Sequence, residues 1–389
     1  MDRRSFLLLG AGASAGAAVL GVRFFGDSDP TPAAAPDPTT GGTGSTGSST
    51  ETTAEALTSY SELQAPDSNG MQLPRGFSAR VVATSGSVVA GTSYSWHVAP
   101  DGGACFPHRD GGWVYVSNSE TVPGGASALR FGGDGTLVDA YRILAGTLVN
   151  CAGGATPWGT WLSCEEVPEG RVWECDPFGE DKAVVRPALG EFTHEAATCD
   201  PVGEHVYLTE DTPEGKLRRF RPSTWGDLSE GTLEAAVVEG GEVSWTTDID
   251  AGSSFDGGEG LWYAEGTVWF TTKGDGRVWE LDVRSTPNTI QVIYDDDASP
   301  SPVLTNVDNI TGSTSGDLFV AEDGGNLELV LIEPSGAVSP FLRLLDQPGS
   351  EITGPAFSPD GSRLYFSSQR GPHEGGSGIT YEVSGPFRT

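Results

Sequence analysis

One cysteine and a set of carboxylates recur at matched places along this 389-residue chain. Cys151, Glu195, Glu259, Asn309 and Gly354 each fall a similar short distance ahead of a strand-like run, and His97 offers the corresponding place before the first run. A second tier sits where those runs end: Glu120, Glu165-Glu166, Glu210-Asp211 and Glu322-Asp323. A single carboxylate in a turn usually accepts hydrogen bonds from nearby amides. That explanation does not account for so many at one register. Carboxylates packed together repel one another and raise their own pKa values, and bound cations remove that cost. Oxygen donors in this number suit calcium, and a thiolate among them suits a transition ion such as iron.

These residues meet only if the chain brings its repeats onto a common axis. Short alternating runs of β-branched and aromatic residues begin near Trp113, Gly159, His205, Thr267, Asp317 and Arg363, and Gly-rich turns separate each from a second strand. The repeat period suits four-stranded blades, and the reading is an all-β, six-bladed β-propeller. Equivalent positions in a radial repeat point at one axis, so residues far apart in sequence become neighbours. The last repeat is one strand short, while residues 77–83 form a strand with no blade of their own. Pairing the two closes the ring and covers an exposed edge.

The chain ahead of the repeats is different. Arg3-Arg4 followed by an apolar Ala/Gly-rich run is the pattern of a twin-arginine export signal, either cleaved or kept as a short anchor. The division is residues 1–25 as signal or anchor, 26–59 as a flexible Pro/Ser/Thr/Gly-rich linker and 60–389 as the propeller. The expected location is outside the cytoplasm, with the twin-arginine export machinery as a partner and a monomer as the expected state.

The formal net charge is −32, and only three of the basic residues are lysines. Nucleic acid and anionic membrane need a basic face, so neither is an expected partner. Of the five cysteines, Cys164 and Cys175 flank an apparent hairpin and either pair or stay as reduced core residues.

The run Asn150-Cys151 through Cys164-Glu165-Glu166 closely resembles the signature of the secreted PhoX alkaline phosphatases. So do Phe192-Thr193-His194-Glu195, Asp308-Asn309 with Glu322-Asp323-Gly324, residues 353–361, and Leu73-Pro74-Arg75-Gly76-Phe77. The resemblance spans the whole repeat region. It implies a twin-arginine-exported six-bladed propeller that hydrolyses phosphomonoesters with ferric iron (Fe3+) and calcium. It places iron on Cys151, Glu166, Glu195 and Glu259, with Glu195 and Glu259 in the catalytic set. Calcium falls near Asp211 or Glu210, with Asn309 and Glu322. The substrate is then a small phosphorylated molecule. One departure stands out. Gly257 occupies the place where that family usually shows an arginine, two residues before the glutamate, and Arg370 is the candidate to replace it in binding substrate. A calcium-dependent lactonase or esterase propeller and a non-catalytic metal-stabilised propeller are the alternatives; the first leaves Cys151 without a role, and Gly257 favours the second.

Overall fold

The structure, a computed structural model, describes residues 60–372 and 377–388. The expected export signal and linker lie outside the described residues. Among the described residues there is no α-helix; the chain forms antiparallel strands with short 3-10 turns at Pro187–Leu189, Ile249–Ala251 and Asp296–Ala298.

The strands follow one another as four-stranded meanders. The first runs Pro100–Pro107, Trp113–Ser119, Gly124–Phe131, Leu137–Thr147. The second starts with Asn150–Ala155 and the third with His194–Asp200; the fourth, fifth and sixth start with Gly258–Ala264, Val307–Gly312 and Ile352–Phe357. Each of these first strands packs against the first strand of the next meander, and Ile352–Phe357 packs against Pro100–Pro107, so the series closes on itself. The arrangement of sheets is propeller-like.

Hydrogen bonding does not divide it into six separate sheets, as the sequence predicts, but into five. The reason is one extra strand. Glu242–Thr246 pairs with the outer strand Asp227–Glu239 of the third meander and, through Glu242 and Val243, with Asn288–Asp295 of the fourth, which joins the two into nine strands.

What holds the meanders together is apolar packing between their faces. One cluster joins Val114 and Val116 of the first meander to Trp161 and Cys175 of the second; another joins Phe319 and Phe341 of the fifth to Leu364 and Phe366 of the sixth. Every sheet face is thus covered by its neighbour, which is why the second strand of the first meander, Trp113–Ser119, is buried at every residue rather than alternating. Truncating one such phenylalanine to alanine costs about 3–5 kcal/mol.

The last meander takes its fourth strand from the N-terminal side. Ser78–Thr84 pairs antiparallel with Ile379–Ser384, in the order the closure argument requires. Across that pairing the buried Glu382 carboxylate receives Arg80 at 2.7 Å, Arg363 at 2.7 Å and the Tyr365 hydroxyl at 2.7 Å.

Candidate metal centre

The six first strands share a local irregularity. Pairing between the first and second strands of each meander is interrupted by a bulge: between Pro100 and Gly103, Asn150 and Gly153, His194 and Ala197, Gly258 and Leu261, Val307 and Ile310, and Thr353 and Ala356. A bulge frees residues from the ladder and re-aims their side chains. In the first five meanders, the freed pairs begin with Asp101, Cys151, Glu195, Glu259 and Asp308. The residue after each is small or amide-bearing, because adjacent first strands crowd there. A Cβ on Gly260 would stand 2.6 Å from the backbone nitrogen of Ile310.

A second tier comes from the ends of the second strands. The backbone amides of Glu120, Glu166, Asp211, Lys273, Asp323 and Gln369 each donate to the carbonyl just ahead of the adjoining first strand, on Ala99, Val149, Thr193, Gly257, Asn306 and Glu351, at 2.8–3.1 Å. This equivalent bond sets six side chains at one level. Glutamates one residue earlier do a different job. Glu165 accepts from the amides of Leu148 and Arg171, Glu210 from the Lys216 amide and Arg218, and Glu322 from the amides of Thr305 and Glu328. They lock the loops, and their successors join the cluster.

Among the expected site residues, Cys151, Glu166 and Glu195 come together with ligand atoms within 4.8 Å of one another. Glu195, Glu259 and Asp308 form a second such trio, and Asp308, Asp323 and Glu351 a third. Shared residues make this one continuous band of donors. Asp211 stands beside it, against Glu166. Glu210 and Glu322 are not brought into it, for the hydrogen-bonding reason just given. Asn309 is buried, but its amide is spent: Oδ1 accepts from the Gly354 amide at 2.7 Å and Nδ2 donates to Asp308 at 2.9 Å, so it fixes Asp308 in place. Gly354 has no side chain to offer. His97 lies off the band, beside Ser117 Oγ at 3.3 Å, and burial holds its pKa down at about 3.

The sequence reading misses Asp101, Asp308, Glu351 and Lys273 as site residues. Loop lengths between meanders vary, so repeat spacing points to Asn309, one residue past Asp308. Lys273 carries no metal-ligating group, so the ligand pattern does not point to it. Its Nζ contacts Glu259 and lies 3.8 Å from Asp308 and 3.7 Å from Asp323. Arg370 stands at the edge of the cluster, 3.5 Å from both Glu120 and Glu351.

Burial, and then the charge of neighbouring carboxylates (Glu120 for Asp101 and Glu166, Glu259 for Glu195), hold Asp101, Glu166 and Glu195 well above the usual carboxylate range. Glu259 is also raised, by burial, in spite of Lys273. The Cys151 thiol is pushed up by burial and then by Asp101 and Glu195, and it donates to Glu195 Oε1 at 3.2 Å. The other oxygen, Glu195 Oε2, is buried with no hydrogen-bond partner. An orphaned carboxylate oxygen beside a thiol and further carboxylates is what a cation would satisfy. The donor set therefore fits a metal centre. Beyond the girdle of small residues, the axis opens into a cavity of about 380 Å³ walled by residues such as Ala155, Ala197, Leu261 and Trp262, with none of the clustered carboxylates. The two ends of the axis are chemically unlike.

None of the five cysteines forms a disulfide, so the pairing of Cys164 with Cys175 is not made. They sit on adjacent strands with different partners: Cys164 opposite Val172, and Cys175 opposite Trp161.

Fold and cluster define a propeller-like all-β protein with a buried acidic band suited to cations. The family model for alkaline phosphatase PhoX matches residues 124–262, the stretch that carries Cys151, Glu166, Glu195 and Glu259. Among solved structures, the chain is similar to PhoX of Pseudomonas fluorescens in complex with vanadate, a transition-state analogue. The TM-score is 0.71 and the identity 16%, over 84% of this chain and 98% of that one. A protein solved under the description gluconolactonase aligns with a TM-score of 0.50 and 15% identity, over 83% of this chain and 98% of that one. At such identities these likenesses show the fold. No curated protein matches the chain in sequence.

Proposed function

We propose that this protein is an exported, metal-dependent phosphomonoester hydrolase, built as six four-stranded blades when the nine-stranded sheet is counted as two. The observation that carries the reading is the meeting of Cys151 with Glu166 and Glu195 beside the orphaned Glu195 Oε2. A sulfur donor among buried carboxylates suits iron, so Cys151, Glu166, Glu195 and Glu259 would hold ferric iron. Asp308, Asp323 and Glu351 offer only oxygen and suit calcium. Bound there, such cations would neutralise phosphoryl charge and activate an oxygen nucleophile.

The chain's own residues do the rest. Loop-locking by Glu165, Glu210 and Glu322 fixes the second tier before any ligand arrives, so little reorganisation is left for the reaction. The Asn309 amide orients Asp308. Arg370, 37% exposed, stands at the solvent side of Glu120 and Glu351 and is placed to meet an anion on its way in. The PhoX family match supports the phosphatase reading over a calcium lactonase, which has no use for Cys151.

The test is hydrolysis of p-nitrophenyl phosphate by the purified full-length protein, before and after exhaustive chelation. Activity that chelation abolishes and that iron with calcium restores is expected. Activity indifferent to chelation, or hydrolysis of lactones with none of phosphomonoesters, would overturn the reading.

A further inference from the structure

The chain has only three lysines, and one of them stands inside an acidic cluster. Lys273 occupies the second-tier place that carries Glu120, Glu166, Asp211 and Asp323 in other meanders. Its backbone amide donates to Gly257 at 2.8 Å, and a Cβ on Gly257 would stand 3.8 Å from that same nitrogen and 3.2 Å from Asp211 Oδ1. The Lys273 backbone is therefore the hydrogen-bonded neighbour of Gly257, the position without an arginine. The Lys273 side chain is 29% exposed, against 2% for Glu259, 6% for Asp308 and 17% for Asp323, so its stem borders the open side of the cluster while its ammonium reaches onto these carboxylates.

We propose that Lys273 is the residue that holds the anionic group of the substrate, replacing the guanidinium absent at position 257; this rests on the phosphomonoesterase reading. An ammonium is a point charge with three donors. Its ammonium stands as counter-ion to Glu259 and Asp308, and cations held by those carboxylates would free its donors for an anion. Lys273, beside Asp308 and Asp323, and Arg370, beside Glu351, both border that trio, so an otherwise acidic cluster carries two cations at its edge. The probe is inorganic phosphate, the product of the proposed reaction.

The experiment titrates inorganic phosphate by calorimetry into metal-loaded wild type, Lys273→Met and Lys273→Arg. Metal content is measured on every sample. Loss of a charge-assisted contact should weaken phosphate binding by roughly 10- to 100-fold in Lys273→Met. Lys273→Arg should keep most of the affinity, and metal content should not change. Phosphate binding by Lys273→Met equal to wild type overturns the proposal, as does a loss or gain of bound metal that tracks the affinity, which would make Lys273 a tethered cation of the cluster. Wild type that binds no phosphate overturns it too. If wild type hydrolyses phosphomonoesters while Lys273→Met binds phosphate unchanged, the proposal falls and the phosphatase reading stands. If Lys273-dependent phosphate binding occurs without hydrolysis, the reverse holds.

Discussion

Cys151 is the one sulfur donor in the acidic band, and its surroundings make it a poor thiolate on its own. Burial and the charges of Asp101 and Glu195 keep the proton on, and the thiol spends it on Glu195. A cation strong enough to displace that proton changes the balance, because a thiolate is the form that ligates metal. Thiolate bound to ferric iron absorbs visible light, so the metal-loaded protein is expected to be coloured. Cys151→Ala should bleach it and remove hydrolysis, while melting within a few degrees of wild type, since the apolar clusters lie between the sheets and not at the axis. Cys164→Ala should keep the colour, because Cys164 is packed with Leu162, Val206 and Leu208. Visible absorption spectra of the three proteins decide the matter, and an unchanged spectrum in Cys151→Ala contradicts the assignment.

At the scale of elements, the second strands end in two residues with opposite duties. Glu322 accepts from the amides of Thr305 and Glu328, whereas Asp323 faces the cluster. Glu322→Gln turns an amide NH2 or leaves a backbone donor unpaired, and should cost about 1–3 kcal/mol with metal content retained. Asp323→Asn should do the reverse, lowering bound calcium with little change in unfolding. Equal effects of the two on metal content would contradict the division. Deleting residues 77–84 removes the outer strand of the last meander and strands Glu382 without Arg80; a thermal unfolding midpoint unchanged by the deletion would show that closure contributes nothing. The closing strand and the meander pattern were legible because alternation and turn residues mark them directly. Cys151, Glu195 and Glu259 were legible from repeat spacing. Asp308 was not, because bulges and loop lengths shift the register by a residue, and Glu351 lies just outside the strand that spacing arguments count from. The pairing strand Glu242–Thr246 is not legible because it belongs to no repeat, and it is what merges two sheets into one.

On the scale of the whole molecule, a chain of net charge −32 folds around a further concentration of carboxylates. The carboxyls of Asp101, Glu166, Glu195 and Glu259 are held above their ordinary values in the metal-free fold. The folded state then binds protons that the unfolded chain releases, so stability falls as pH rises through the raised values. Lys273, also raised, is charged in both states throughout that window and does not reverse the sign. His97, His194 and His205, lowered chiefly by burial, act the other way below the ordinary histidine range and are neutral in both states above it. Above that range, chelated protein should therefore melt at a higher temperature near pH 7.5 than near pH 9, and metal-loaded protein should lose most of that dependence. A metal-free protein whose melting point climbs from pH 7.5 to pH 9 would contradict the electrostatic account. The most direct check on the centre itself is elemental analysis of full-length protein purified without chelator. Iron together with calcium in stoichiometric amounts is the predicted result; protein grown with ample iron and calcium that carries neither would show that the acidic band is not a metal centre.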